Sequence, residues 1–202
     1  MELEIETLQK VLNNLVKEYQ KNPIEYFYEE DIRADLLIKL RSENIFDIAL
    51  PITKKNEWLG DYVEILGDVI NISGIKAEYP SNTRFDIAYI KPNNEKNHYI
   101  FECPFAIEIK LSQKDSKNRD FKLDIEKLLN YKTQHPNFIG IAIDFEQSPV
   151  IKKEDLDKNY GNFKMTEFKK GIEISKGLIN YFFITKKEIF GGNPKTVTEA
   201  YN

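Results

Sequence analysis

Two charged side chains interrupt an apolar run near the middle of the chain. Residues 106–111 read AIEIKL, so Glu108 and Lys110 lie two positions apart in an otherwise hydrophobic segment. Residues two apart on a β-strand project from the same face, and unpaired charge in a protein core is costly. A mutual salt bridge is one explanation of the pair. The other is a chemical site that holds a carboxylate and an amine together for a reaction.

A second carboxylate, Asp86, lies near the start of the preceding predicted strand, RFDIAYI at residues 84–90. If the two strands pair, the carboxylates of Asp86 and Glu108 come together. Adjacent carboxylates form a hard oxygen site that suits magnesium, and both stay ionised comfortably only beside a cation. Lys110 would then orient or help deprotonate an attacking water and stabilise negative charge on a phosphate. These are the requirements of phosphodiester hydrolysis.

The elements that would position these residues follow from apolar periodicity. Three-to-four spacing predicts helices at 2–21, at about 24–42 and at about 120–134. The second helix would carry one apolar stripe, made of Ile24, Tyr28, Ile32, Leu36 and Leu40. Alternating or continuous apolar runs predict strands at 74–80, 84–90, 98–112, 138–145 and 178–185, with a helix-rich segment at 168–175. A strand, helix and strand in sequence favours a parallel pair, so we expect an α/β (α+β) fold with a mixed β-sheet flanked by helices.

The amino-acid composition limits the classes of protein and of function to consider. The 202 residues are 41% hydrophobic, which predicts a single domain, 1–202. No apolar run is long enough for a membrane span, and the acidic start is unlike a signal peptide, so we expect a cytoplasmic location. The lone cysteine, Cys103, is expected to be a small buried hydrophobe. The net charge of −4 argues against indiscriminate nucleic-acid binding, although residues 110–132 carry seven bases against four acids and could face phosphate.

The spacing of the charged residues is similar to that of a known family. Asp86, followed 22 residues later by Glu108-Ile109-Lys110 within a helix, meander, helix and strand order, resembles the PD-(D/E)XK nuclease superfamily over about residues 24–145. The resemblance implies a restriction endonuclease-like core, on which the N-terminal helix and a C-terminal extension pack. It implies Mg²⁺, with Mn²⁺ as a substitute, and a DNA partner in defence or DNA repair. Specificity would come from loops or from formation of a homodimer. Whether the substrate is DNA or RNA stays open.

The resemblance also implies the site residues. Catalytic roles fall on Glu29, Asp86, Glu108 and Lys110, with Asp86, Glu108 and Glu29 as metal ligands. Family members often carry an acid on the helix before the meander. Glu29 lies about 60° from the centre of the apolar stripe and Glu30 about 160°, which favours Glu29.

Several features of the match stay open. A tight turn near residue 94 would bring Glu102 beside Asp86, whereas a bulge or break at Pro104 would bring Glu108 there. Phe85 stands where the family name has proline, and no Q-x-x-x-Y motif follows. Lys127, on the helix where that motif would lie, is a candidate phosphate contact, and Glu78 is expected to be solvated.

Two rival functions remain. One is a catalytically inactive, nuclease-like binding or assembly module, in which the Glu108 and Lys110 pair is structural. The other is a small-molecule enzyme with a carboxylate-metal site.

Overall fold

The computed structural model describes residues 2–51, 69–80, 82–92, 101–112, 121–146 and 168–191. Three helices have defined bounds, α1 (Glu2–Lys21), α2 (Glu29–Arg41) and α3 (Phe121–Gln134), and residues 168–175 are helical as well. The strands are β1 (Asp47–Pro51), β2 (Val69–Ser73), β3 (Ile75–Tyr79), β4 (Phe85–Pro92), β5 (Phe101–Ser112), β6 (Ile139–Glu146), β7 (Asn180–Ile184) and β8 (Ile189–Gly191). None of the described helices is long and apolar enough to cross a lipid bilayer. Trp58, His98 and the basic residues Lys114, Lys117 and Arg119 lie outside the described residues.

A six-stranded sheet organises the described part of the chain, in the order β3-β4-β5-β6-β7-β8. The pairs β3-β4, β4-β5 and β7-β8 are antiparallel, and β5-β6-β7 run parallel. The predicted mixed α/β class and the parallel pair after the meander are therefore confirmed. The short strands β1, β2 and β8 were not predicted, and β1 and β2 form a separate antiparallel pair.

Helices cover both faces of the sheet. Buried side chains of α1 and α2 pack with Ile87, Ile107 and Ile143 on one face. On the other face α3 packs through Phe121, Ile125, Leu128 and Leu129. The strand positions beneath α3 are small, namely Ala88, Ala106, Gly140 and Ala142. A Cβ on Gly140 would lie 3.3 Å from the Cβ of Leu128, so the missing side chain lets α3 approach the sheet closely.

Helix α2 begins at Glu29, and the prediction that it starts near residue 24 was wrong. The carboxylate of Asp31 accepts hydrogen bonds from the backbone N–H groups of Phe27 (3.0 Å) and Tyr28 (2.9 Å), which terminates the helix at that point. Ile24 and Tyr28 are 71% and 70% exposed and do not belong to the apolar stripe. Its other members, Ile32, Leu36 and Leu40, are buried as predicted.

A β-bulge between β4 and β5 sets the register at the centre of the sheet. Lys91 pairs with Glu102 and Tyr89 with Phe105, so one residue on β4 faces two on β5, Cys103 and Pro104. Proline has no N–H to give to the ladder, which explains why the extra residue is accommodated there. The bulge moves the register by one position. Continuing from the Ile87 and Ile107 pair, Asp86 lies opposite Glu108.

The bulge also redirects Cys103. Strict alternation along a strand would place Cys103 on the face of Phe105, but Cys103 packs with Ala88 and Ala106 on the opposite face. Its burial was predicted correctly, and burial raises the pKa of the thiol to about 12. Its burial and its raised pKa both indicate that Cys103 is an inert structural thiol.

Candidate functional site

The sequence-predicted charged residues meet at one end of the sheet. Asp86 lies at the start of β4 and Glu108 and Lys110 lie near the end of β5, which runs antiparallel to it. Glu29 is the first residue of α2, on one face of the sheet. Helix α3 approaches the same end from the other face. The site is therefore built from two strands and two helices that are distant in sequence.

Asp86 is fixed directly to the strand that carries the other site residues. The backbone N–H of Ile109 donates a hydrogen bond to Asp86 Oδ2 (2.8 Å). The side chain thus spans the gap between the strands and accepts the N–H of the residue that lies between Glu108 and Lys110. Glu102, the alternative partner of Asp86, lies 3.5 Å from Lys91 in an ion pair on the other side of the bulge. The structure therefore places Glu108, and not Glu102, beside Asp86.

Glu108 is almost completely buried, with 1% of its surface exposed. Burial, followed by the nearby charge of Asp86, raises the pKa of its carboxyl to about 9. The ammonium of Lys127, on α3, lies 2.5 Å from Glu108 Oε1 and opposes this rise. At neutral pH this carboxyl therefore keeps a proton, unless a further cation stabilises the charged form.

Lys110 pairs with Glu29 and not with Glu108. Lys110 Nζ lies 3.2 Å from Glu29 Oε2, which also accepts the backbone N–H of Leu111 (3.4 Å). The interpretation of Glu108 and Lys110 as a mutual salt bridge was therefore wrong, because each has a partner on a different helix. Between the two glutamates considered on α2, Glu29 reaches the site and Glu30 is exposed to solvent.

The pair of Glu29 and Lys110 also fixes the charge of the amine. Burial favours the neutral form of Lys110, but the carboxylates of Glu29, Asp124 and Asp86 outweigh it, so the pKa of Lys110 is raised. Burial raises the pKa of Glu29, and Lys110 opposes that rise. Lys110 is therefore a stable ammonium ion in this arrangement. A protonated amine can stabilise negative charge but cannot remove a proton from water.

The site also includes Arg33, which sequence reasoning passed over, and Glu78, for which it predicted no role. Arg33 Nη1 lies 2.7 Å from Glu78 Oε1 and 3.5 Å from Asp86 Oδ1. Glu78 was expected to be solvated, and its side chain is half exposed, but it holds this guanidinium. Arg33 lies four residues after Glu29, so the two share a face of α2. That spacing was the signal in the sequence that could have identified Arg33.

The site carries more negative than positive groups. Its contacts join three cations, Arg33, Lys110 and Lys127, to five carboxyls, Glu29, Glu78, Asp86, Glu108 and Asp124. With all groups ionised the formal charge is −2, which one divalent cation would balance. The donor chemistry of Asp86 and Glu108 fits such an ion, since hard carboxylate oxygens are the ligands that magnesium prefers.

Glu29 is not gathered with the other two carboxyls into one ligand set. Among the residues that the structure describes, no three histidine, cysteine, aspartate or glutamate side chains form a group placed to hold a metal ion. The predicted trio of Glu29, Asp86 and Glu108 is therefore divided into a pair on the strands and a glutamate bound to Lys110.

One buried acid near the site was not considered from the sequence. Asp144 on β6 is the register partner of Lys110 and is 3% exposed. It lies in FIGIAIDF, residues 138–145, which the sequence predicted as an apolar strand without attention to this carboxyl. It adds a carboxyl beside the strand that carries Glu108.

Comparisons with known proteins found no relative of this chain. No family model matches the sequence, and neither a curated protein nor a solved structure matches it.

Proposed function

We propose that the protein is a magnesium-dependent deoxyribonuclease, an endonuclease of the PD-(D/E)XK type. One observation carries the proposal. Asp86 accepts the backbone N–H of Ile109, the residue between Glu108 and Lys110, so two carboxyls and an ammonium from two paired strands meet at the end of the sheet. A structural core gains nothing from bringing such a set together, because each buried charge must be compensated.

The strand carboxyls are the proposed metal ligands. Asp86 and Glu108 would hold Mg²⁺ or Mn²⁺, and the raised pKa of Glu108 reflects burial beside another carboxyl, the condition that a cation relieves. A bound ion of this kind supplies Lewis-acid stabilisation of a phosphoryl oxygen and a more acidic water. The excess negative charge of the site supports this assignment.

The remaining site residues act on the phosphate. Lys110 keeps its proton and presents an ammonium to the negative charge that develops on the phosphodiester. Glu29 is a positioning residue, because it binds the ammonium of Lys110 and the backbone N–H of Leu111 together. Holding the amine in one place avoids the cost of ordering it during the reaction.

The proposed substrate is the DNA backbone in the cytoplasm, with a role in defence or repair. Phosphate contacts position a protein on a nucleic acid but carry no sequence information. Lys110 and the proposed metal ligands act on phosphate and do not distinguish a 2′-hydroxyl. RNA is therefore the natural second substrate to include in an assay.

Cleavage assays test the proposal. The wild-type protein is expected to cleave plasmid and single-stranded DNA with Mg²⁺ or Mn²⁺ and to lose this activity in EDTA. Glu102→Gln is the matched control for the site, because Glu102 lies on β5 but pairs with Lys91 beyond the bulge. We expect Glu102→Gln to keep wild-type activity. Cleavage that continues in EDTA, or no cleavage of either substrate, would contradict the proposal.

A second function is favoured by a specific observation. Each strand carboxyl already faces a cation, Asp86 with Arg33 and Glu108 with Lys127, and the described residues hold no three-carboxyl group. These pairings suit a catalytically inactive binding or assembly module. The two functions differ in metal binding, since an inactive module of this kind would bind no Mn²⁺.

A further inference from the structure

Two residues of the β3-β4 hairpin have an unusual backbone conformation. Glu78 (φ 53°) and Arg84 (φ 52°) both lie in the left-handed region, although each carries a Cβ. Such conformations are costly for residues other than glycine, and they cluster where function requires a fixed geometry. The two positions flank the turn that leads into Asp86.

Each of these residues holds one of the cations of the site. Glu78 Oε1 lies 2.7 Å from Arg33 Nη1. The backbone carbonyl of Arg84 accepts a hydrogen bond from Lys127 Nζ (3.0 Å). The hairpin therefore fixes a guanidinium from α2 and an ammonium from α3, which approach from opposite faces of the sheet.

The two cations flank the carboxyl pair and remain accessible. Arg33 Nη1 is 3.5 Å from Asp86 Oδ1, and Lys127 Nζ is 2.5 Å from Glu108 Oε1. Their side chains are 29% and 25% exposed. Arg33 makes both of its carboxylate contacts through Nη1, so the other guanidinium nitrogens make no hydrogen bond to the described residues.

A cavity continues the site from Lys127. It has a volume of about 360 Å³ and lies between α3 and the hairpin turn. Thr83 and Asn130 are among its lining residues, together with Lys127. A backbone that reaches Lys127 therefore has space on the protein surface beyond it.

We propose that Arg33 and Lys127 form a two-point clamp for backbone phosphates, positioned by Glu78 and Arg84, and that this clamp binds nucleic acid without a metal ion. The inference rests on the proposed function, because it assigns the phosphates to the nuclease substrate. A guanidinium gives a planar fork of donors for phosphate, and a lysine acts as a point charge. The clamp places a phosphodiester next to Asp86 and Glu108, and it accounts for the strained residues on both sides of one hairpin.

Binding in EDTA separates the clamp from the chemistry. Fluorescence anisotropy with a labelled single-stranded oligonucleotide and its duplex, over a series of salt concentrations, measures the affinity without cleavage. Arg33→Gln and Lys127→Gln should each weaken binding about 5- to 10-fold at low salt and reduce the salt slope by about one. The control is Lys122→Gln on the same helix, whose exposed side chain pairs with Glu126. It should stay within about twofold of wild type, as one exposed charge outside the site.

Glu78→Gln tests the positioning role while both cations remain. We expect a smaller loss of affinity with an unchanged salt slope, because the number of phosphate contacts is the same. This variant also keeps the test valid if either cation variant fails to fold, which circular dichroism would reveal.

The outcomes distinguish this inference from the proposed function. Wild-type affinity in both cation variants, or no oligonucleotide binding by the wild type at low salt, would overturn the clamp. Magnesium-dependent cleavage in that case would leave the nuclease proposal intact. Binding that depends on Arg33 and Lys127 without any cleavage would support the clamp and contradict the nuclease.

Discussion

Lys110→Met is expected to lower metal-dependent DNA cleavage by about 100- to 1000-fold, the effect of removing one preorganised group that stabilises the transition state. The ammonium is held by Glu29 at 3.2 Å and keeps its proton, so its loss removes positive charge where the phosphate gains negative charge. Initial rates of plasmid cleavage in Mg²⁺, at equal protein concentration, measure the effect.

Lys91→Met is the matched control for this substitution. Lys91 and Lys110 have the same exposed fraction, 30%, and each pairs with a glutamate, but Lys91 lies beyond the bulge. Its removal should leave the rate within about twofold of wild type, since exposed ion pairs contribute little. Full activity in Lys110→Met would remove Lys110 from the mechanism. Equal losses in both variants would indicate a general effect of charge.

Glu108→Gln is expected to stabilise the metal-free protein near neutral pH. The pKa of Glu108 is about 9 in the folded protein, against an ordinary value of 4.5. Folding therefore disfavours the charged form of this carboxyl. At about pH 7.5 this lowers the free energy of unfolding of the wild type by between about 2 and 4 kcal/mol. Glutamine fills the same space without a charge and avoids that cost.

The pH dependence has a definite sign. Below pH 4.5 the carboxyl of Glu108 is protonated in both the folded and unfolded states. Its burial then carries no cost of neutralising a charge, so the wild type keeps its full free energy of unfolding. As the pH rises from there toward about 9, unfolding releases a proton and the stability of the wild type falls relative to the variant. The advantage of Glu108→Gln should therefore be small near pH 5 and larger near pH 8.

Urea denaturation in EDTA at these two pH values measures the difference. Glu126→Gln is the control, because Glu126 is 44% exposed on α3 and lies outside the carboxyl pair. It should change the unfolding free energy by no more than about 0.5 kcal/mol at either pH. A destabilised Glu108→Gln, or a difference independent of pH, would show that burial of this carboxyl is compensated in the metal-free protein.

Local patterns predicted most of the elements. Helix α1 and helix α3 have the predicted bounds within a residue, because their apolar residues recur at helical spacing and proline follows each helix. The central strands were predicted because they are continuous or alternating apolar runs. The start of α2 was not, because it depends on how the carboxylate of Asp31 meets two backbone N–H groups.

The placement of the site residues depends on tertiary features that no local pattern contains. The sequence offered both Glu102 and Glu108 as the partner of Asp86. The pairing of Pro92 with Phe101 excludes a tight turn near residue 94 and with it Glu102, and the bulge at Cys103 and Pro104 then moves the position opposite Asp86 from Ile107 to Glu108. The contact of Lys127 with Glu108 requires α3 to lie close over small residues such as Gly140. The partners of Lys110 and Glu108 were therefore missed, although the residues themselves were chosen from their spacing.

The central claim is that the carboxylates of Asp86 and Glu108 together hold a divalent cation, and calorimetric titration with Mn²⁺ tests it most directly. The account predicts saturable binding to the wild type, unchanged binding to Glu102→Gln, and loss of binding in Asp86→Asn. No binding to the folded wild-type protein, or undiminished affinity in Asp86→Asn, would contradict it.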